Sequence, residues 1–283
     1  MTHSIKSLLT SCTEKLSGNS QSARLDTEVL LMRVLDKDRA FLFANPEHEL
    51  SQTELEELDA LINERCRGVP VAHLTGKREF WTLELAVTSD VLVPRPETEL
   101  LVEEALRHIP GKADCRVVDL GCGSGAIALA LASERPLAEI TATDRSKSAL
   151  EIARRNAATL ELEEIRFVES DWLAELRQER FNIIVSNPPY VATSNPELAG
   201  PELKYEPEEA LYSGKDGLDD IRTIISSAPE HLYEKGWLLL EHGFDQAEAI
   251  HALMHEAGFT KIECYKDLAG HDRVSVGQLQ QIT

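Results

Sequence analysis

The 283-residue chain lacks the features that mark membrane, secreted and metal-binding proteins. No apolar run approaches the ~20 residues that a bilayer-spanning helix needs. The N-terminus, MTHSI, has neither the basic nor the apolar region of a secretory signal. The five cysteines are odd in number and show no CxxC spacing, which disfavours a disulfide framework and a zinc site. We therefore expect a soluble, cytoplasmic protein with reduced cysteines and no bound metal.

Basic residues are also scarce. The chain has 29 Lys and Arg against 49 Asp and Glu, a formal net charge of −20. A protein that grips a nucleic-acid backbone needs a basic surface to neutralise the phosphates. The charge balance therefore disfavours direct binding of DNA or RNA, and it is compatible with a basic protein partner. An acidic surface that serves only solubility is the alternative.

Two domains joined by a linker are predicted from the length and from a change in apolar periodicity. Residues 1–77 are predicted to be helical, because apolar residues in 23–35 and 50–65 recur every three or four positions. Ser51 and Glu54 predict a capping box at the start of the second of these helices. Residues 78–95 are predicted to form a β-hairpin linker, in which 80–88 leads through a turn to a second strand at 91–93.

Residues 96–283 alternate between strand and helix patterns, which predicts an α/β fold of the Rossmann-like kind. Such alternation implies a mostly parallel sheet with helices on both faces. Two final strands, 261–265 and 273–276, lie close enough in sequence to pair antiparallel. In parallel sheets ligands bind beyond the carboxyl ends of the strands, at the switch point of the strand order.

A glycine-rich turn follows the first predicted strand of this domain. Its residues are Gly121, Cys122, Gly123, Ser124 and Gly125. Glycines at such a turn let backbone N–H groups approach a ligand. The spacing matches neither the dinucleotide fingerprint G-x-G-x-x-G nor a phosphate-binding P-loop. A tight strand-to-helix turn that serves packing alone is the alternative.

The next two strand ends also carry polar or aromatic residues. A carboxylate at Asp144 is suited to accept hydrogen bonds from ribose hydroxyls, and an N-cap role there is compatible with this. Trp172 is suited to stack on an adenine ring and Asp171 to accept from its amine, although a core tryptophan is the alternative. Three successive strand ends of this character favour a pocket for a nucleoside-containing cofactor.

The fourth strand runs directly into Asn187, Pro188, Pro189 and Tyr190. An amide or aromatic amine nitrogen is a poor nucleophile because its lone pair is delocalised. The Asn187 side-chain oxygen and the Pro188 carbonyl offer two acceptors for its N–H groups, and two prolines fix the backbone direction. Tyr190 offers a flat face for a planar amide. The tetrad therefore predicts methylation of a conjugated nitrogen, against the alternative of a Pro-Pro turn that only ends a strand.

These motifs resemble those of known methyltransferases. The order DLGCGSG, TATD, SDW and NPPY resembles the class I S-adenosylmethionine-dependent methyltransferases, in the branch that methylates amino groups. The segments HLTGKREFW, VLVPRPETELLVEEAL and YEPEEAL…GKDGLDDIR resemble the protein-(glutamine-N5) methyltransferases that act on class I peptide chain release factors. This likeness spans nearly the whole chain.

The resemblance implies a cofactor, a substrate and a set of site residues. S-adenosyl-L-methionine, which leaves as S-adenosyl-L-homocysteine, is expected to contact the glycine turn, Asp144, Trp172 and Asn187. Residues 187–190 are expected to hold the glutamine of the release factor's Gly-Gly-Gln loop, so that its methylation modulates translation termination. Residues 1–77 are assigned to substrate recognition, and the protein is expected to be a monomer.

Two rival functions remain open from the sequence. An adenine-N6 or cytosine-N4 nucleic-acid methyltransferase would use a similar tetrad but would need a basic groove. A nucleotide-binding module without catalysis would not need the tetrad at all. The roles of Arg95, Glu97, Glu99 and the acidic stretch 197–209 also stay open, between bordering the pocket and holding the linker or a solvated loop.

Overall fold

The computed structural model describes residues 3–111, 114–194 and 203–280. The chain divides into two compact units, one of Met1–Lys77 with Pro201–Tyr205 and one of Arg78–Gly200 with Glu206–Thr283. Within the described ranges, no helix combines the length and the apolar character that crossing a bilayer requires.

The first unit is a bundle of helices. Its elements are α1 (Ile5–Leu16), α2 (Ala23–Leu35), α3 (Arg39–Ala44), α4 (Gln52–Cys66) and α5 (Val71–Thr75). The capping box predicted for α4 is confirmed, because the Ser51 hydroxyl accepts from the Glu54 N–H while the Glu54 carboxylate accepts from the Ser51 N–H. Buried aliphatic side chains form its core, and an ion pair of 2.7 Å between Arg65 and Asp26 ties α4 to α2.

The hairpin that follows differs from the sequence prediction. Its strands are β1 (Lys77–Phe80) and β2 (Leu83–Ala86), so the predicted strand 80–88 was wrong in its bounds and the strand 91–93 does not form. Val91 and Val93 are buried, but the Val93 N–H donates to the Glu206 carboxylate at 3.3 Å instead of to a neighbouring strand. Three consecutive apolar residues indicate a buried segment, but they do not indicate whether a neighbouring strand pairs with it.

The second unit is built on a seven-stranded sheet, and the predicted α/β fold is confirmed. The strands are β3 (Cys115–Leu120), β4 (Ala138–Asp144), β5 (Arg166–Glu169), β6 (Phe181–Ser186), β7 (Leu232–Glu241), β8 (Phe259–Lys266) and β9 (Asp272–Leu279). Their order is β5-β4-β3-β6-β7-β9-β8. The first five named pair in parallel. The two final strands, β8 and β9, pair antiparallel as the sequence predicted, and β9 also pairs antiparallel with β7, which was not predicted.

Helices cover both faces of this sheet. They are α6 (Glu99–His108), α7 (Ala126–Glu134), α8 (Lys147–Thr159), α9 (Asp219–His231) and α10 (Ala247–Glu256). Side chains of β3 alternate between two buried clusters, with Val117 packed on the side of α6, α7 and α8 and Val118 on the side of α9 and α10. The strand order reverses between β3 and β6, so the carboxyl ends of these two strands define the switch point.

Candidate active site

A cavity open to solvent lies at the carboxyl ends of β3, β4, β5 and β6 within the second unit. It brings together most of the residues singled out from the sequence. Those that line it are Gly121, Cys122, Gly123, Ser124, Asp144, Asp171, Trp172, Asn187 and Pro189. Gly125, Pro188 and Tyr190 do not line it. Among the described residues, no group of three or more histidine, cysteine or acidic side chains is arranged to hold a metal.

The glycine turn is held in place by Asp144 at the end of β4. The Gly123 N–H donates to one carboxylate oxygen of Asp144 at 2.9 Å, and the Ser146 N–H donates to the other at 2.8 Å. Burial raises the pKa of Asp144, and these two N–H donors oppose that rise. Each oxygen keeps a further lone pair, so the carboxylate both shapes the turn and can accept from a diol in the cavity.

Trp172 packs directly against the glycine turn. Gly121 has φ +71°, and a Cβ built there would lie 3.1 Å from Cζ3 of the Trp172 ring. A larger residue at this position would therefore displace the indole as well as strain the backbone. Trp172 is half-buried and lines the cavity, whereas Asp171 beside it is exposed.

The two acceptors predicted in the tetrad receive no hydrogen bond from the residues that the structure describes. The Asn187 side chain donates from Nδ2 to the Thr98 hydroxyl at 3.1 Å. Across the described part of the chain, no hydrogen bond reaches Oδ1 of Asn187 or the carbonyl oxygen of Pro188. Strand β6, which leads directly into Asn187 and Pro188, is held against β3 because the Ser186 hydroxyl donates to the Leu120 carbonyl at 2.7 Å. A substrate N–H group therefore meets no internal competitor for either oxygen.

Tyr190 is anchored by its hydroxyl, which donates to Oε1 of Glu241 at 3.3 Å. Burial is the main cause that raises the pKa of Glu241 to about 7, and Arg273 opposes it. The backbone beyond Tyr190 meets Gly217, whose φ is +77° and where a Cβ would lie 2.3 Å from the Tyr190 carbonyl oxygen. The last glycine of the GKDG segment is therefore required, because only a residue without a side chain lets the backbone approach Tyr190 this closely.

Four of the residues left open by the sequence have contacts or line the cavity, namely Arg95, Glu99, Glu206 and Glu209. Arg95 lines the cavity and pairs at 2.5 Å with Glu206, whose side chain is fully buried. The Glu99 carboxylate accepts from the Trp81 N–H at 2.8 Å, which fixes the turn of the β1–β2 hairpin. Glu97 is not among the lining residues. Positions 197–202 of the acidic stretch lie outside the described residues, and Glu209 at its end lines the cavity.

Two residues that hydrogen-bond to the tetrad, Thr98 and Glu241, were not predicted from the sequence. Thr98 lies within the PRPETE segment and lines the cavity. Glu241 ends β7, the strand beside β6, so an acid at the carboxyl end of a parallel strand was the available signal. Glu241 was not predicted as a site residue because neither a glycine turn nor an aromatic residue accompanies it in the sequence.

The sheet order, the cavity at its switch point and the tetrad after β6 define a class I methyltransferase. Residues 96–204 match the family described as "Methyltransferase small domain", and residues 7–76 match the "PrmC N-terminal domain". The chain belongs to the release factor glutamine methyltransferase family. It is 48% identical to the Xylella fastidiosa (strain Temecula1) protein of that name, over 96% of each chain, and 44% identical to that of Escherichia coli (strain K12), over 93% of this chain and 94% of the other.

A solved structure shares the fold at lower identity. It is the Thermus thermophilus 16S rRNA N2 G1207 methyltransferase in complex with AdoMet and guanosine, which is 20% identical and has a TM-score of 0.53. The match covers 72% of this chain and 50% of the other. At this identity the likeness extends to the fold alone.

Proposed function

We propose that this protein transfers a methyl group from S-adenosyl-L-methionine to the side-chain amide nitrogen of a glutamine in class I peptide chain release factors, within the Gly-Gly-Gln loop. The observation that carries the proposal is a pair of adjacent acceptors without a hydrogen-bond donor among the described residues, Asn187 Oδ1 and the Pro188 carbonyl, of which Asn187 lines a cavity suited to the cofactor. Relatives named release factor glutamine methyltransferase, at 44–48% identity over nearly the full length, support the choice of substrate.

The residues present fit S-adenosyl-L-methionine better than a phosphorylated nucleotide. Arg95 and Arg145 both line the cavity, but each is paired with a glutamate, Glu206 and Glu209 respectively. Among the described residues that line the cavity, each arginine therefore has a carboxylate partner that competes with a phosphate. Asp144 offers a carboxylate that can accept from the hydroxyls of a diol but would repel a phosphate. Trp172 offers an aromatic surface against the glycine turn. This balance disfavours a module that only binds nucleotides.

The chain's own residues would act by orientation. When bound, S-adenosyl-L-methionine supplies an electrophilic methyl group and leaves as S-adenosyl-L-homocysteine. Asn187 Oδ1 and the Pro188 carbonyl would accept the two amide N–H groups, drawing the nitrogen out of conjugation so that its lone pair is available. Holding the nitrogen in line would supply several of the ~7–11 kcal/mol that proximity can provide. No strong base is required, because the proton can leave after the new N–C bond has formed.

The helical unit and the charge of the chain bear on the partner of this protein. The described residues that line the cavity all belong to the second unit. We assign to the helical unit the recognition of the release factor, and we expect a monomer that acts in the cytoplasm where translation termination takes place. The net charge of −20 favours a basic protein surface over a nucleic acid as the partner.

One assay tests the proposal. The protein is incubated with methyl-labelled S-adenosyl-L-methionine and a purified class I release factor, and the label is located by peptide mass spectrometry. We expect a single methyl group on the loop glutamine and none when that glutamine is replaced by glutamate. Label on added DNA or RNA, or on no glutamine at all, would reject the proposed function.

A further inference from the structure

Gln246, which immediately precedes α10, uses both ends of its side-chain amide. It is 8% exposed and is not among the residues that line the cavity. Its Oε1 accepts from the Gly243 N–H at 2.9 Å, and its Nε2 donates to the Tyr190 carbonyl at 3.1 Å. The carbonyls of Asp216 and Gly217 also lie within reach of Nε2, at 3.3 and 3.4 Å. One side chain thus connects the turn after β7 with the tetrad and with the GKDG segment.

The bond between Gln246 and Gly243 belongs to the start of the helix. The Gly243 carbonyl accepts from the Gln246 N–H at 3.0 Å, while Oε1 of Gln246 accepts from the Gly243 N–H. The second of these bonds is the one that the third residue makes in a capping box, where glutamate and glutamine both serve. Capping therefore needs an acceptor and no donor, which leaves the NH2 end of Gln246 for a second role.

The NH2 end of Gln246 lies among backbone carbonyls that only a donor can satisfy. Three carbonyl oxygens lie within 3.4 Å of Nε2, and a carboxylate in its place would set oxygen against oxygen. Two glycines leave room for the amide. A Cβ at Gly217 would lie 2.8 Å from Nε2, and a Cβ at Gly243 would lie 3.0 Å from Oε1. A primary amide is the side chain that meets both ends of this site.

The same turn also holds the other end of Tyr190. Glu241, the last residue of β7, accepts from the Tyr190 hydroxyl at 3.3 Å, and Gln246 at the far end of the turn donates to its carbonyl. Directly after the tetrad, the Val191 N–H donates to the Leu211 carbonyl at 2.9 Å. Tyr190 is therefore fixed at its ring and at its backbone by contacts from outside the tetrad. A ring that is fixed in this way presents one defined face to a planar amide.

We propose that Gln246 is a positioning residue for the methyl transfer, which holds the backbone of Tyr190 so that its ring stays aligned with the acceptors of Asn187 and Pro188. The inference rests on the proposed function, because it takes the Tyr190 ring as the surface on which the substrate amide lies. Gln246 is not placed to touch the substrate or the cofactor, since it does not line the cavity. Its effect reaches the reaction through Tyr190.

Gln246→Glu separates positioning from capping. The carboxylate keeps the acceptor for the Gly243 N–H, but it replaces the donor to Tyr190 with an oxygen that repels the carbonyl. At pH 8.5 we expect turnover on a release factor to fall about 10- to 100-fold, because a displacement of about 1 Å can cost that much. The dissociation constant for S-adenosyl-L-methionine should change less than about twofold. Turnover within about twofold of wild type would overturn the inference, because capping would then account for Gln246.

Gln246→Met removes both hydrogen-bonding ends without adding a charge. Methionine is nearly as long and keeps the site filled, so we expect a folded protein whose turnover falls by about the same factor. Gln278→Met is the matched control, because Gln278 on β9 donates to the Lys235 carbonyl at 2.9 Å and is not among the cavity-lining residues. An equal loss in Gln278→Met, or a parallel loss of cofactor affinity in Gln246→Met, would overturn the inference.

A fluorine spectrum of the tyrosine rings gives a readout that does not depend on activity. The chain has five tyrosines, and in protein labelled with 3-fluorotyrosine the signal of Tyr190 is the one that Tyr190→Phe removes. We expect this signal to shift in Gln246→Met and to stay unchanged in Gln278→Met. An unchanged Tyr190 signal in Gln246→Met would overturn the inference. Failure of the wild type to methylate a release factor would instead reject the proposed function, and the spectrum would still show whether Gln246 holds Tyr190.

Discussion

Asp119, next to the last residue of β3, has a buried carboxylate whose charge the fold stabilises poorly, and Asp119→Asn should remove the free-energy cost of that charge. The side chain is fully buried, and one carboxylate oxygen accepts from the Ala128 N–H at 3.1 Å. The other oxygen has no hydrogen-bond partner within the described residues. Burial raises the pKa of this carboxyl to about 7, and the nearby charge of Asp144 adds to the rise.

The sign of the effect follows from proton linkage. The folded state holds the proton up to about pH 7, whereas the unfolded chain releases it near the ordinary value of 3.8. The stability that this group contributes is therefore fully present below about pH 3.8 and is lost as the pH rises through 7. Between pH 5 and pH 9 the wild type should lose roughly 2–3 kcal/mol from this source. Asparagine keeps the acceptor for Ala128 and carries no charge at any pH.

Urea unfolding followed by tryptophan fluorescence measures the effect. All three tryptophans, Trp81, Trp172 and Trp237, belong to the second unit, so the signal reports the unit that contains Asp119. We expect the stability of Asp119→Asn, relative to wild type, to rise by roughly 2–3 kcal/mol from pH 5 to pH 9. Asp245→Asn, at an exposed aspartate outside the cavity, controls for loss of a surface charge. Parallel curves for Asp119→Asn and wild type would refute the reasoning.

Two further predictions concern the walls of the cavity. Trp172→Ala should weaken binding of S-adenosyl-L-methionine by about 1–3 kcal/mol, measured by calorimetry, if the indole stacks on the adenine. Trp237→Ala, whose ring stacks on His108 at 3.9 Å outside the cavity, is its control, and equal affinities would remove Trp172 from the pocket. Glu206→Ala should destabilise the second unit by roughly 3 kcal/mol because it leaves the charge of Arg95 without its buried partner. Glu209→Ala, with a 77% exposed carboxylate, should cost less than about 1 kcal/mol in the same urea assay.

Local patterns were sufficient where one segment determines its own structure. Helix α2 was predicted at its observed bounds because its apolar spacing and ends are recorded within 13 residues. The glycine turn was predicted because a strand that runs into closely spaced glycines has few other uses. Both features depend only on residues that are adjacent in the sequence, so local sequence patterns are enough to predict them.

Features that depend on distant segments were not predicted. The strand predicted at 91–93 does not form because Glu206, more than a hundred residues away, takes the Val93 N–H. The register of β7 against β6, which shifts between Phe181 and Ile183, is likewise set by two separate segments. Thr98 contacts Asn187, and Glu241 contacts Tyr190, only when separate segments converge, and no pattern within any one segment predicts these contacts.

In the proposed reaction Asn187 supplies an oriented acceptor to the substrate amide, and Asn187→Ala removes that acceptor. Turnover on a release factor should fall by about 10²–10³, while the affinity for S-adenosyl-L-methionine changes far less. Asn182→Ala is the control, because Asn182 lies near the start of β6 and its oxygen accepts from the Arg116 N–H at 2.9 Å. Near-normal turnover by Asn187→Ala, at levels matched by the control, would contradict the account.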